Sequence, residues 1–111
     1  MKYWDFDIVC NHHFLNCNKI HPLKQRDVAA IVDSASQDQH IKRLVIFGSA
    51  TTFSCNSYSD IDLYVERDDR RLKSPVDYTK VDSDVDVIYG FKCGKALKDE
   101  IEKTGVEVYR R

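Results

Sequence analysis

Apolar and polar positions repeat along this chain with two different periods, and each change of period marks an element. Pro22 suits the first turn of a helix, and Leu23, Val28, Ile31 and Val32 follow at roughly helical spacing. That pattern predicts a helix from Pro22 to about Ser36, ending in a polar Ser-Gln-Asp-Gln-His connection. Residues 44–47, Leu-Val-Ile-Phe, are apolar throughout, as in a strand covered on both faces. A second such run, Ile61-Asp62-Leu63-Tyr64-Val65, follows a connection whose residues 50–59 contain five Ser or Thr and start as a loop or a short helix from Ser49. The solvated stretch Glu-Arg-Asp-Asp-Arg-Arg-Leu-Lys-Ser-Pro comes next, and then a strand is expected near residues 76–81. In the run from Val81 to Tyr89, Asp82, Asp84 and Asp86 share one parity and Val81, Val85, Val87 and Tyr89 the other. Residues 95–103 read as an amphipathic helix with Leu97 and Ile101 four apart and Gly105 as its C-cap, and residues 106–109 as a last strand. Residues 1–20 have no clean period: Tyr3, Trp4, Phe6, Ile8, Val9, Phe14 and Leu15 supply apolar bulk among turn-favouring asparagines. The fold class expected is α+β, a mixed β-sheet with helices packed mainly on one face.

A length of 111 residues is that of a single domain, 1–111, with 1–20 as an N-terminal extension of unassigned structure. Hydrophobic residues at 42% and charged residues at 32% are globular values, and a net charge of −1 excludes bulk nucleic-acid binding through a basic surface. No apolar run reaches the roughly 18 residues of a membrane span, and the acidic N-terminus lacks a signal peptide's apolar core, so the expected location is the cytoplasm. The four cysteines form no C-x-x-C pair and read as free thiols. Cys10, His12, His13, Cys17 and His21 are zinc-compatible residue types, but structural zinc sites use tighter, paired spacings, so coincidental placement is the simpler reading.

The chemistry concentrates between Gly48 and Asp62. Asp60 and Asp62 are two apart on a strand, so their carboxylates project to one side of the sheet. Two carboxylates that close repel unless a cation or proton sits between them, and a hard divalent cation suits them. Gly48 lets the backbone turn sharply, so nearby amides and the Ser49 hydroxyl can meet phosphate oxygens across the connection from the acids. The plain alternative is that alternating Asp-Ile-Asp-Leu forms the wet face of an antiparallel strand and Ser49 an ordinary turn residue. A phosphate grip beside paired acids is the equipment of phosphoryl transfer.

Gly48-Ser49, ten residues, then Asp60-Ile61-Asp62 resembles the signature of the nucleotidyltransferase superfamily related to DNA polymerase beta, and most of all its minimal, antitoxin-type nucleotidyltransferases. The likeness covers roughly residues 42–109. It implies a third carboxylate from a later strand in a Val-Asp-Val context, which Asp86 matches, with Asp84 as runner-up on the same parity. It further implies two Mg²⁺ ions, or Mn²⁺, held by Asp60, Asp62 and Asp86, a nucleotide (ATP or another NTP) held at Gly48 and Ser49, and transfer of a nucleoside monophosphate, AMP above all, to an acceptor hydroxyl. Such relatives modify a protein partner, a HEPN-domain ribonuclease toxin. Where many members of the family carry Ala-Arg-Gly soon after the Gly-Ser, this chain has Ala50-Thr51-Thr52-Phe53 and no arginine. Two function classes therefore stand: an active nucleotidyltransferase, and a catalytically weak or inactive antitoxin-like protein-binding module.

Overall fold

A computed structural model describes residues 5–111; Tyr3 and Trp4, part of the apolar bulk of the N-terminal segment, lie outside the described residues. Four strands, β1 (Ile41–Phe47), β2 (Ile61–Arg67), β3 (Val85–Tyr89) and β4 (Val106–Arg110), form one sheet in the order β3-β2-β1-β4. β1 pairs antiparallel with β2 and with β4, while β2 and β3 run parallel. The two central strands are the two most continuously apolar segments, as burial on both faces requires.

Helix α1 (Pro22–Ser36) begins with His21 as N-cap, whose Nδ1 accepts from the Leu23 amide at 3.1 Å, and with Pro22 at the first position. Val28, Ile31 and Ala35 face the sheet and pack with Ile41, Leu44, Ile46, Leu63 and Val65 in the main core. Each fully buried Val, Leu or Ile among them contributes roughly 1.5–3 kcal/mol. The helix is rotated from its expected setting at the first turn. Leu23 is 54% exposed, whereas Lys24, Gln25 and Asp27 are buried.

Helix α2 (Lys95–Thr104) departs from the expectation of helices mainly on one face. Its Ile101 packs with Val45 and Tyr64, residues that alternate with the main-core positions along β1 and β2 and so lie on the opposite side of the sheet. The bulk of the apolar core is nevertheless on the α1 side. Gly105 does follow α2, its amide donating to Ile101 O at 2.7 Å, but in an extended conformation. A Cβ there would collide with the Val45 side chain, so close packing selects the glycine.

The expected strand at residues 76–81 does not form. Pro75 has no amide to donate, and Asp77 Oδ1 accepts from the Thr79 amide at 3.0 Å and its hydroxyl at 2.6 Å, folding the chain into a turn in mid-segment. Val81 is buried as a plug in the main core instead, with Val76 packed beside it. The connection from β2 to β3 therefore contains neither helix nor strand.

The N-terminal segment is strapped across α1. The Val9 amide donates to Gln25 Oε1 at 2.8 Å and Gln25 Nε2 donates to the Asp7 and Ile20 carbonyls. Its Cys and His residues find separate uses: His21 caps α1, His12 faces Asp33 at 3.3 Å, and the Cys10 and Cys17 sulfurs approach to 3.5 Å. Burial, reinforced by Cys10, pushes the Cys17 thiol up to about 11.

Candidate active site

Asp62 sits near the start of β2 and pairs in register with Phe47 on one side and Asp86 on the other. Its parity is that of Tyr64, so its carboxylate emerges on the α2 side of the sheet. Asp60 precedes the strand, delivered by an Asn56-centred turn in which Asn56 Oδ1 accepts from the Tyr58 amide at 2.8 Å and Ser59 Oγ from the Asn56 amide at 3.0 Å. Asp86 is in the edge strand β3 and is exposed, although its apolar flank reads as that of a buried position. Asp84 ends the preceding turn, where its carbonyl accepts from the Ile61 amide at 2.9 Å.

Asp62 holds its proton more tightly than an ordinary carboxyl: burial raises its pKa, and the charges of Asp86 and then Asp60 raise it further. The three carboxylates thus share one electrostatic field, in which Asp84 is not among the causes. Among the described residues, none of the three side chains is held in an ion pair or hydrogen bond.

Gly48 lies immediately past the end of β1, with φ at +75°, a left-handed conformation that suits glycine. A Cβ at this position would overlap Asp62 Oδ2. Because Phe47 pairs with Asp62, the residue after Phe47 comes directly under the Asp62 carboxylate. The sequence reading places the phosphate grip across the connection from the acids; in the fold the two are in contact. Ser49 is the second residue of a single 3₁₀ turn, Gly48–Thr51, a short helix as expected but starting one residue earlier. The threonines that stand where an arginine is common are turned inward: Thr51 Oγ1 donates to Gly48 O at 2.9 Å and Thr52 Oγ1 to Ser49 O at 3.1 Å. They brace the turn and add no charge.

Residues 29–111 match the family model described as Polymerase beta, Nucleotidyltransferase. The chain belongs to this family. The candidate site elements, Gly48-Ser49, Asp60-Ile61-Asp62 and Asp86, all fall inside the matched span. No curated protein matches this nucleotidyltransferase. Nucleotidyl transfer is the family's general chemistry, and divalent metals are its typical cofactors.

The donor set suits such an ion: three carboxylates offer hard oxygen ligands of the kind Mg²⁺ and Mn²⁺ prefer, and the charges of Asp86 and Asp60 disfavour the ionised form of Asp62. Among the described residues, no three His, Cys, Asp or Glu side chains already close on one point as a ligand cage. Asp60 and Asp86 are exposed and have room to turn toward Asp62. The cations Arg71 and Lys73 do not come near. Both belong to the loop folded around Arg67, five residues along β2 from Asp62, or about 16 Å away. Lys80 is beside Ala30 and Asp33 of α1.

Sequence reasoning missed a buried polar group on the α1 side, at the entry to β3. Lys24 and Asp27 of α1 bond to Ser83, in the turn that leads into β3. The signal was present in the spacing, since Lys24 is four residues before Val28 and seven before Ile31 and so shares their face.

Among the described residues, no helix is long and apolar enough to cross a membrane.

Proposed function

We propose that this nucleotidyltransferase is metal-dependent and moves a nucleoside monophosphate, AMP from ATP, onto a hydroxyl of a partner protein. The observation that carries the reading is the shared field of Asp62, Asp86 and Asp60 at the carboxylate resting on Gly48. Asp60 and Asp62 would hold both divalent ions and Asp86 the one beside the acceptor. Bound there, Mg²⁺ or Mn²⁺ supplies Lewis-acid neutralisation of triphosphate and attacking-oxygen charge. Gly48, with no side chain in the way, lets the terminal phosphates come close to the backbone, and the Ser49 hydroxyl donates to them. The Asp86 carboxylate orients the acceptor hydroxyl and takes its proton. The acceptor oxygen bonds to the α-phosphorus as the α–β bridging bond breaks, and pyrophosphate departs. The resemblance to minimal nucleotidyltransferases supports a HEPN-type toxin as the acceptor.

A second reading, an antitoxin-like module that binds its partner without turnover, is favoured by one observation. The turn after Gly48 carries no arginine, and its threonine hydroxyls are already bonded to backbone. Incubation with Mg²⁺, the product of the neighbouring gene and ATP labelled at either the α- or the γ-phosphate separates the two. Transfer of α-label with pyrophosphate release is expected. Tight complex formation without label transfer selects the binding module, and transfer of γ-label marks a different phosphoryl-transfer reaction.

A further inference from the structure

Lys24 and Asp27 are 1% and 6% exposed, an unusual setting for two ionisable side chains three residues apart on a helix. Both turn toward one short segment. The Asp27 carboxylate accepts from the Asp82 amide at 3.2 Å, the Ser83 amide at 3.1 Å and the Ser83 hydroxyl at 2.6 Å. That same hydroxyl accepts from Lys24 Nζ at 2.8 Å, so it donates its one proton and accepts on one lone pair at once. Lys24 Nζ also lies 3.4 Å from Ser57 O, in the connection that ends at Asp60.

What these bonds hold is the entry to β3. One residue past Ser83, the Asp84 carbonyl accepts from the Ile61 amide, and the parallel register Ile61–Val85, Asp62–Asp86 follows from that bond. β3 is five residues long, is an edge strand, pairs in parallel and emerges from a connection with no regular structure. Its own pairing specifies its register weakly, yet a slip by one residue would carry Asp86 to the other face and put a valine beside Asp62. A buried apolar pair on α1 would stabilise the core without fixing that register. Directional bonds from a rigid helix do fix it.

We propose that Lys24 and Asp27 are positioning residues of the transfer site, which through Ser83 set the register of β3 and hence the place of Asp86 beside Asp62. The catalytic consequence rests on the transfer reading above; the hold on β3 does not. Asp27→Asn, Lys24→Met and the isosteric pair Ser83→Thr and Ser83→Val test it. Amide hydrogen exchange at Ile61 is read alongside kcat and KM for ATP. Asp27→Asn, Lys24→Met and Ser83→Val are expected to speed exchange at Ile61 by about tenfold or more, while amides of the β1–β4 ladder keep their protection. Their kcat falls by about ten- to a hundredfold, since small misplacements of a reacting group cost that much, and KM for ATP stays within about twofold because Gly48 and Ser49 are untouched. Ser83→Thr, which keeps the hydroxyl, retains both properties. The half-buried Ser83 pair carries the test should either buried substitution prevent folding. Unchanged exchange at Ile61, equal loss of protection across the whole sheet, or unchanged kcat in a variant whose Ile61 exchanges faster would each overturn the proposal. A wild-type protein that transfers nothing would count against the transfer reading, with exchange at Ile61 still deciding whether the network holds β3.

Discussion

The Asp62 carboxylate occupies the space that a side chain at residue 48 would need. Strand pairing produces this contact, because Phe47 and Asp62 are partners and Gly48 is the next residue out. Gly48→Ala forces a Cβ into a left-handed conformation, at a cost of about 1–2 kcal/mol, and against Asp62. Calorimetry with a non-hydrolysable ATP analogue should show weakened nucleotide binding. A thermal-shift titration should show a weakened Mn²⁺ response as well, and a full Mn²⁺ response would mean the two functions are separate. Ser49→Ala, which leaves Asp62 undisturbed, should weaken nucleotide binding alone.

Asp62 makes the metal-free protein less stable than it need be. Its native pKa is raised by burial and by the charges of Asp86 and Asp60. Its contribution is therefore fully favourable below the ordinary carboxylate pKa and is lost as pH rises through the raised native value. Asp62→Asn should raise Tm of the metal-free protein at pH 7 by about a few degrees, with the gain vanishing below about pH 4. Differential scanning calorimetry across that range checks it; a Tm that falls in the mutant at pH 7 would contradict the repulsion. The same mutation should abolish stabilisation by Mn²⁺.

Asp86 and Asp84 part company in the fold. Asp86 is in register with Asp62 and contributes to its field, while Asp84 serves β3 through its carbonyl. Asp86→Asn should reduce nucleotidyl transfer about as severely as Asp60→Asn, by at least about a thousandfold, whereas Asp84→Asn should stay within about threefold of wild type. Label transfer from ATP, run side by side, is the measurement. The reverse ranking would hand the role to Asp84.

Much of this fold was legible in the sequence because the decisive signals are local. Pro22 begins α1, and the unbroken apolar runs around Val45 and Leu63 are the two central strands. Period alone suggested that Asp60 and Asp62 share a side, although Asp60 lies just before the strand. What was not legible depends on pairs distant in the chain. The strand expected at residues 76–81 looked sound by composition, but Pro75 and the Asp77 turn outweigh its valines. The approach of Gly48 to Asp62 needs the β1–β2 register. The burial of Lys24 was not legible because its partners, Ser57 and Ser83, are more than thirty residues away.

Arg67, at the other end of β2, offers a control for stability without chemistry. Its guanidinium donates to Asp38 at 2.8 Å, to both Asp69 oxygens at 2.7 Å and to Lys73 O at 3.0 Å. These bonds hold the Asp38 and Asp69 carboxyls below their usual range, a contribution present above the ordinary pKa and lost as pH falls toward the depressed values. Arg67→Met should lower stability at pH 7 and flatten the acid limb of the stability profile, while Mn²⁺ binding is unchanged. Urea unfolding between pH 3 and 7 would show this, and a steep acid limb in the mutant would place the pH dependence elsewhere.

The most direct measurement counts Mn²⁺ by electron paramagnetic resonance in the presence of a non-hydrolysable ATP analogue, which needs no acceptor. Wild type should bind about two ions per chain, Asp86→Asn about one, and Asp62→Asn none above background. An Asp62→Asn protein that still binds two ions would contradict the assignment of Asp60, Asp62 and Asp86 to a single metal–nucleotide site.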